Sequence, residues 1–240
     1  METNNRIKEA GIVAIGLVLG LVALGCCLKS GIDNFTNRDR KVTVKGLSER
    51  EVEADKVTWP IQTKEIGNDL PALYAKINQT TATLKQFLIA GGVKESEISV
   101  NAPTVVDLNA ERYGENNRSY RYNITSTLTV SSHNVKLVRQ LIARQGELLN
   151  QGIAIVDGGY DSPSTRYEYV AFKEMKPEMM TEAIQNAEKT AQQFAENSHS
   201  QLNKIISADQ GQFSIDDRDE NTPYIKKVRV VTTVTYSLKN

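Results

Sequence analysis

Cysteine is nearly absent from this chain of 240 residues, which holds only Cys26 and Cys27, side by side in an apolar run. Neighbouring cysteines make poor disulfide partners, because the bridge needs its two Cα atoms well separated. Everything after residue 27 lacks a thiol. That excludes an internal disulfide framework and a thiolate metal site in the body, and it leaves any cysteine nucleophile inside the apolar run. Histidine is equally scarce. His133 and His199 are the only two, and neither has a ligand-type residue four positions on, so the H-E-x-x-H zinc motif is missing. Both read as solvated turn residues. Net charge is lacking too: 29 basic residues balance 29 acidic ones. A nucleic-acid binder carries a basic excess or a basic face, so no nucleic acid is expected as a partner. Charged residues make up 24% of the chain and aromatics 6%, a balance that suits a folded globular body and not a disordered one.

Motifs for chemistry are also missing. There is no G-x-S-x-G elbow and no phosphate-cradling glycine loop. Gly158-Gly159 lacks the strand-to-helix context of an anion site. Asp216, Asp217, Asp219 and Glu220 suggest calcium, but the run DDRDEN lacks the glycine turn that a calcium loop requires and Arg218 interrupts it; it reads as a solvated hairpin tip. Met175, Met179 and Met180 offer either reversible oxidation or, as the plainer reading, core filling. The N-x-S/T triplets at Asn34 and Asn123 are short enough to arise by chance. No catalytic, cofactor-binding or metal-ligating residue is therefore assigned, and no enzyme is expected.

What is present begins at the amino terminus. Ala10–Leu28 (AGIVAIGLVLGLVALGCCL) runs nineteen residues without a charge, long enough for a bilayer-spanning helix. A signal peptide has a shorter apolar core and a small-x-small cleavage site. Ala23-Leu24-Gly25 offers such a site, so cleavage is the alternative to an uncleaved anchor. Lipidation at Cys26 is a third reading, against which Ala23 stands where leucine is usual. Two basic residues precede the run (Arg6, Lys8) and five follow soon after (Lys29, Arg38, Arg40, Lys41, Lys45). A positive-inside count keeps the body in the cytoplasm, yet a large domain translocates regardless of such charges.

The body is organised around a repeat. Met175–Ile215 is a relaxed copy of Asn68–Val105: an offset of about 107 positions lays Ile77 on Ile184, Phe87 on Phe194 and Ile98 on Ile205. Each copy reads as a long amphipathic helix followed by a strand. In order, Lys41–Leu47 predicts a strand, Ser48–Lys56 a charged turn and Val57–Ile66 a second strand, whose Pro60 suggests an edge or a bulge. Asp69 and Pro71 open the first long helix, Leu70, Leu73, Tyr74, Ile77, Leu84, Phe87 and Leu88 fall on one face, and Gly91-Gly92 end it. Glu97–Leu108 and Arg118–Ser131 follow as strands joined by a polar tip. Ser132 or Asn134 caps a helix carrying Val135, Val138, Leu141 and Ile142, with Leu148 and Leu149 near its end. Ile153–Val156 and Arg166–Phe172 pair around the turn Asp157–Ser164. Pro177 opens the next long helix, with Met180, Ala183, Ile184, Ala187, Ala191, Phe194 and Ala195 on its buried side. Lys204–Ile215 and Val228–Leu238 complete the strands.

The fold class is thus α+β: two related ββαββ-type halves, about 41–132 and 133–240, with antiparallel sheets covered on one face by long helices, plus an N-terminal transmembrane helix. A tail (1–9), an anchor (10–28) and a linker (29–40) precede the body (41–240). The last strand and the Pro60 strand are the candidate exposed edges, and exposed edges invite pairing with another chain, so a homo-oligomer is expected.

The run DRKVTVKGLSEREVEADKVTWPI and the run AIQNAEKTAQQFAENSHSQLNKIISADQGQFSI, with its L-x-K-I-x-S strand entry at Leu202–Ser207, resemble the SIMPL-domain family over about residues 40–240. The resemblance implies an extracytoplasmic bacterial protein with a signal or anchor segment. It also implies relatives that assemble into rings, or serve in oxidative-stress defence, or act as an adaptor for a signalling kinase. The family has no established catalytic residues. The function expected is a membrane-anchored, periplasm-facing, non-enzymatic oligomeric scaffold or interaction module of the bacterial inner membrane, in envelope or stress physiology; a pure membrane-protein adaptor, a separate reading, would capture its partner through the polar tips Asp107–Ser119 or Asp157–Arg166. The alternative is a soluble periplasmic ligand-binding protein or an enzyme with an unrecognised site.

Overall fold

The computed structural model describes residues 15–29, 31–32, 40–110, 119–156 and 163–239. Its first helix, α1 (15–29), falls within the expected anchor. Among the described residues no helix is long and apolar enough to cross a membrane. Residues 10–14, the start of the expected span, lie outside the described ones, as do the tail, most of the linker, and the centres of both polar tips (111–118 and 157–162).

The fold is α+β, with strands β1 (Lys41–Glu53), β2 (Lys56–Gly67), β3 (Ile98–Val100), β4 (Thr104–Asp107), β5 (Tyr122–Ser132), β6 (Arg166–Glu168), β7 (Gln201–Asp217) and β8 (Ile225–Lys239). The helices of the body are α2 (Leu70–Ala90), α3 (Val135–Ala143), α4 (Gly146–Leu149) and α5 (Phe172–Asn197). The chain divides into two compact units, one of residues 1–49, 177–213 and 229–240, the other of residues 50–176 and 214–228.

The second of these units holds a sheet ordered β3-β5-β2-β6, with β4 also on β5. β2 and β5 pair antiparallel without interruption from Val57–Ser132 to Gly67–Tyr122. Alternation does what it predicts: Val57, Trp59 and Ile61 from β2 and Leu128 and Val130 from β5 are buried on one face, where they meet Leu84 and Leu88 of α2 and Val138 and Leu141 of α3. The local end signals hold as well. The Asp69 carboxylate accepts the Ala72 N–H at 3.1 Å, Gly92 closes α2 at φ +99°, and Asn134 Oδ1 accepts the Leu137 N–H at 3.2 Å. Ser132 contributes behind it, accepting the Asn134 N–H at 3.0 Å.

Several expectations are corrected. The charged stretch after Leu47 is no turn, because β1 continues to Glu53. The strand expected over Glu97–Leu108 splits into β3 and β4 around Asn101-Ala102-Pro103, where proline cannot donate to the ladder. Ile153–Val156 and Arg166–Phe172 do not pair with each other; both lie along β2, the first through a single bridge from Ile155 to Thr63, the second through β6. Pro177 does not open α5. The helix starts at Phe172 with Pro177 inside it, because the Asp55 carboxylate accepts the N–H groups of Val170 (2.6 Å) and Ala171 (2.7 Å) and turns the chain into the helix early.

In the other unit the sheet is ordered β1-β8-β7. The hydroxyls of Thr43 and Thr235 meet at 3.0 Å and the Leu238 N–H donates to the Arg40 carbonyl at 2.9 Å, so β1 and β8 run antiparallel. Val44, Val234 and Tyr236 pack against Ala187 and Ala191 of α5. Neither strand named as an edge from the sequence is a plain one. β8 is central, because β1 comes in from the far end of the chain to flank it. β2 lies between β5 and β6, although β6 covers only Lys56–Thr58, and that leaves no strand beside Pro60 on that side among the described residues.

Candidate interaction surface

The buried stripe of α5 is Met179, Ala183, Ala187, Ala191 and Ala195, each essentially inaccessible. The sequence reading placed Met180, Ile184 and Phe194 on that side. Ile184 is in fact 41% exposed and Phe194 58%. The cause is close approach. A Cβ on Gly46 of β1 would land on the Ala183 carbonyl oxygen and the Ala187 nitrogen, so β1 touches the helix backbone and only small side chains fit between. Contacts spaced every four residues drift about 40° per step around an α-helix. That drift carries Ile184 to one flank and Phe194 to the other. Asn186 Nδ2 donates to the Leu47 carbonyl at 2.8 Å and Ser48 Oγ to Glu182 at 2.9 Å, which fixes the helix along β1.

The strand expected over Lys204–Ile215 is present as β7, but sequence reasoning did not find that it is an open edge. It runs seventeen residues and is exposed along nearly its whole length. Among the described residues it pairs with β8 alone. Ile205 and Ile206, adjacent and therefore on opposite faces, are 55% and 53% exposed. From Ile205 to Ile215 the only charge is Asp209 and there is no proline. Natural edges are normally guarded by charge, proline or a bulge. β1, the other edge of this sheet, is guarded by Lys41, Lys45, Glu49, Arg50, Glu51 and Glu53. The signal that could have revealed β7 as the open edge is this contrast in charge density.

At the end of β7 the acidic run forms a tied turn. Asp219 accepts the Thr222 hydroxyl, the Arg218 Nε–H at 3.0 Å, and the N–H groups of Thr222 (2.8 Å) and Asn221 (2.9 Å). The Thr222 hydroxyl, then the Arg218 guanidinium, hold its carboxyl at about 2, against an ordinary 3.8. Its oxygens are thus committed to the turn. Among the described residues no group of three or more His, Cys, Asp or Glu side chains is placed to hold a metal ion.

The remaining candidates are scattered. His133 Nδ1 lies 2.9 Å from the Asp55 carbonyl at the entry to α3. His199, at φ +52°, closes α5 in the left-handed region. Met179 is core, whereas Met175 and Met180 are half-buried. Cys26 and Cys27 are free and exposed on α1. Asn34 and Gly158-Gly159 lie outside the described residues. Of the polar tips, the described part shows Arg121 paired with Asp107 at 3.0 Å.

In the unit of residues 50–176 and 214–228, a cleft of about 380 Å³ opens beside β2 between Trp59, Pro60, Ile142, Leu149 and Ile155. Sequence reasoning did not find it, because its walls come from four separate segments.

A family model described as SIMPL, protein of unknown function (DUF541), matches residues 42–236, and the chain belongs to that family. A search of the curated proteins finds no match.

Proposed function

We propose that this SIMPL-family chain is a membrane-anchored, extracytoplasmic, non-enzymatic interaction module that self-associates through the open edge of β7. The observation that carries the reading is the seventeen-residue strand with a side that no other strand covers among the described residues, isoleucines on both faces and one charge from Ile205 to Ile215. Such an edge is a template for a strand from another chain. Anchoring is supported by the nineteen-residue uncharged run, and by α1, whose leucines and valines stand exposed all round, from Ile15 to Leu28. A helix apolar on every side needs a core or a bilayer to cover it. The extracytoplasmic placement and a role in envelope or oxidative-stress physiology rest on the family resemblance.

Light scattering on the body, started near residue 38, tests the self-association. The expected result is a mass above that of one chain at micromolar concentration, reduced to one chain by Ile205→Lys with Ile206→Lys. A strict monomer before substitution overturns the reading. Protease accessibility of the body in intact cells compared with spheroplasts tests the placement: protection in spheroplasts would place it in the cytoplasm.

A further inference from the structure

We infer that the cleft beside Trp59 binds a small neutral molecule with a flat apolar body and a hydrogen-bond donor, such as an aryl amide. Its volume of about 380 Å³ lies in the range of small-molecule sites, roughly 300–1,000 Å³. Among the described residues its lining is apolar or uncharged polar throughout. An ionised ligand would lose its hydration there without gaining a counter-charge from the described lining. Trp59, 4% exposed, forms a fixed aromatic wall of the chain's main core cluster.

The donor requirement comes from the backbone. The Gln62 carbonyl accepts the Val156 N–H at 2.9 Å, so even-numbered residues of β2 turn their peptide groups away from β5. β6 covers Lys56–Thr58 and the next contact on that side is the Thr63–Ile155 bridge. Pro60 falls between the two. It presents a carbonyl to the gap and has no N–H to present with it. The Gln62 amide is held in place by donation to Thr127 Oγ1 at 3.3 Å. At the rim Leu149 is 63% exposed, an apolar surface that a bound ring would cover.

Trp59 is the only tryptophan in the chain, so its fluorescence reports this site alone. The full-length chain in detergent micelles is titrated with benzamide, benzoate and benzylamine, exciting at the red edge of indole absorption. The expected result is a saturable change with benzamide in roughly the millimolar range, as suits so small a ligand. The charged analogues should bind at least about tenfold more weakly, because the described lining holds no counter-charge for them. Leu149→Glu and Gln145→Glu, both at exposed rim positions, should weaken benzamide and strengthen benzylamine. A linear, unsaturable response to benzamide, or equal responses to all three compounds, overturns the proposal. So does an unchanged preference in both folded variants. The three-compound series on the unsubstituted chain decides by itself if neither variant folds, and its failure leaves the reading of β7 standing.

Discussion

Asp55 joins parts of the chain more than a hundred residues apart. Its carboxylate takes the N–H groups of Val170 and Ala171, and its backbone carbonyl faces the His133 ring. Charge-assisted caps of this kind contribute about 1–2 kcal/mol. Asp55→Ala should lower the stability of the body by that amount in urea denaturation, whereas Asp69→Ala, which loses one exposed cap bond, should lose about half as much. Asp219 makes a pH prediction. Its carboxyl titrates at about 2 in the folded chain and near 3.8 when unfolded. The unfolded chain therefore takes up the proton first. The stabilisation from the ionised turn is complete above 3.8 and is lost as pH falls through about 2. Thr222→Ala removes the largest cause, so the Asp219 carboxyl should move up toward 3.8 in a carbon-detected NMR titration. The local caps at Asp69 and Asn134 were legible in the sequence because donor and acceptor lie three residues apart. The Asp55 cap was not, since nothing local marks a partner so distant.

At the scale of elements, the helices and strands follow their periodicity, but the rotation of α5 does not follow from its own residues. Counting apolar side chains puts Ile184 and Phe194 inward. The glycine at position 46 instead draws β1 onto the alanine line and leaves those two side chains outside. Two substitutions separate these outcomes. Ala187→Leu should destabilise by about 1–3 kcal/mol, because a larger side chain has no room against β1. Phe194→Ser should change the stability of the isolated chain by less than about 0.5 kcal/mol, as exposed positions do. A large loss at Phe194 in calorimetry at low protein concentration would return that residue to the core. The residues that the sequence reading aligned differ in the same way: Ile77 is fully buried whereas Ile184 is exposed.

For the whole molecule, each compact unit draws on segments far apart in the chain. The main core cluster takes Val57, Trp59 and Ile61 from before residue 132 and Val135, Val138, Leu141, Leu148 and Ile153 from after it. A fragment of residues 41–132 should therefore show no cooperative unfolding by circular dichroism, although the sequence reading took it as one half of the body. It lacks Val135, Val138, Leu141, Leu148 and Ile153, which complete that cluster. A sharp transition in that fragment would mean that residues 41–132 fold without the later helices.

The α+β class, the capped ends of α2 and α3, the alternation of β2 and β5 and the family resemblance were all determined by the sequence alone, because each depends on residues within a few positions or on a pattern carried along one element. Tertiary structure alone decided which strand is the open edge, which face of α5 is buried, where α5 begins and where the cleft lies. Those outcomes turn on pairings such as β1 with β8, Gly46 with Ala183 and Asp55 with Ala171. Such pairings are set by packing between distant segments, to which local periodicity carries no pointer.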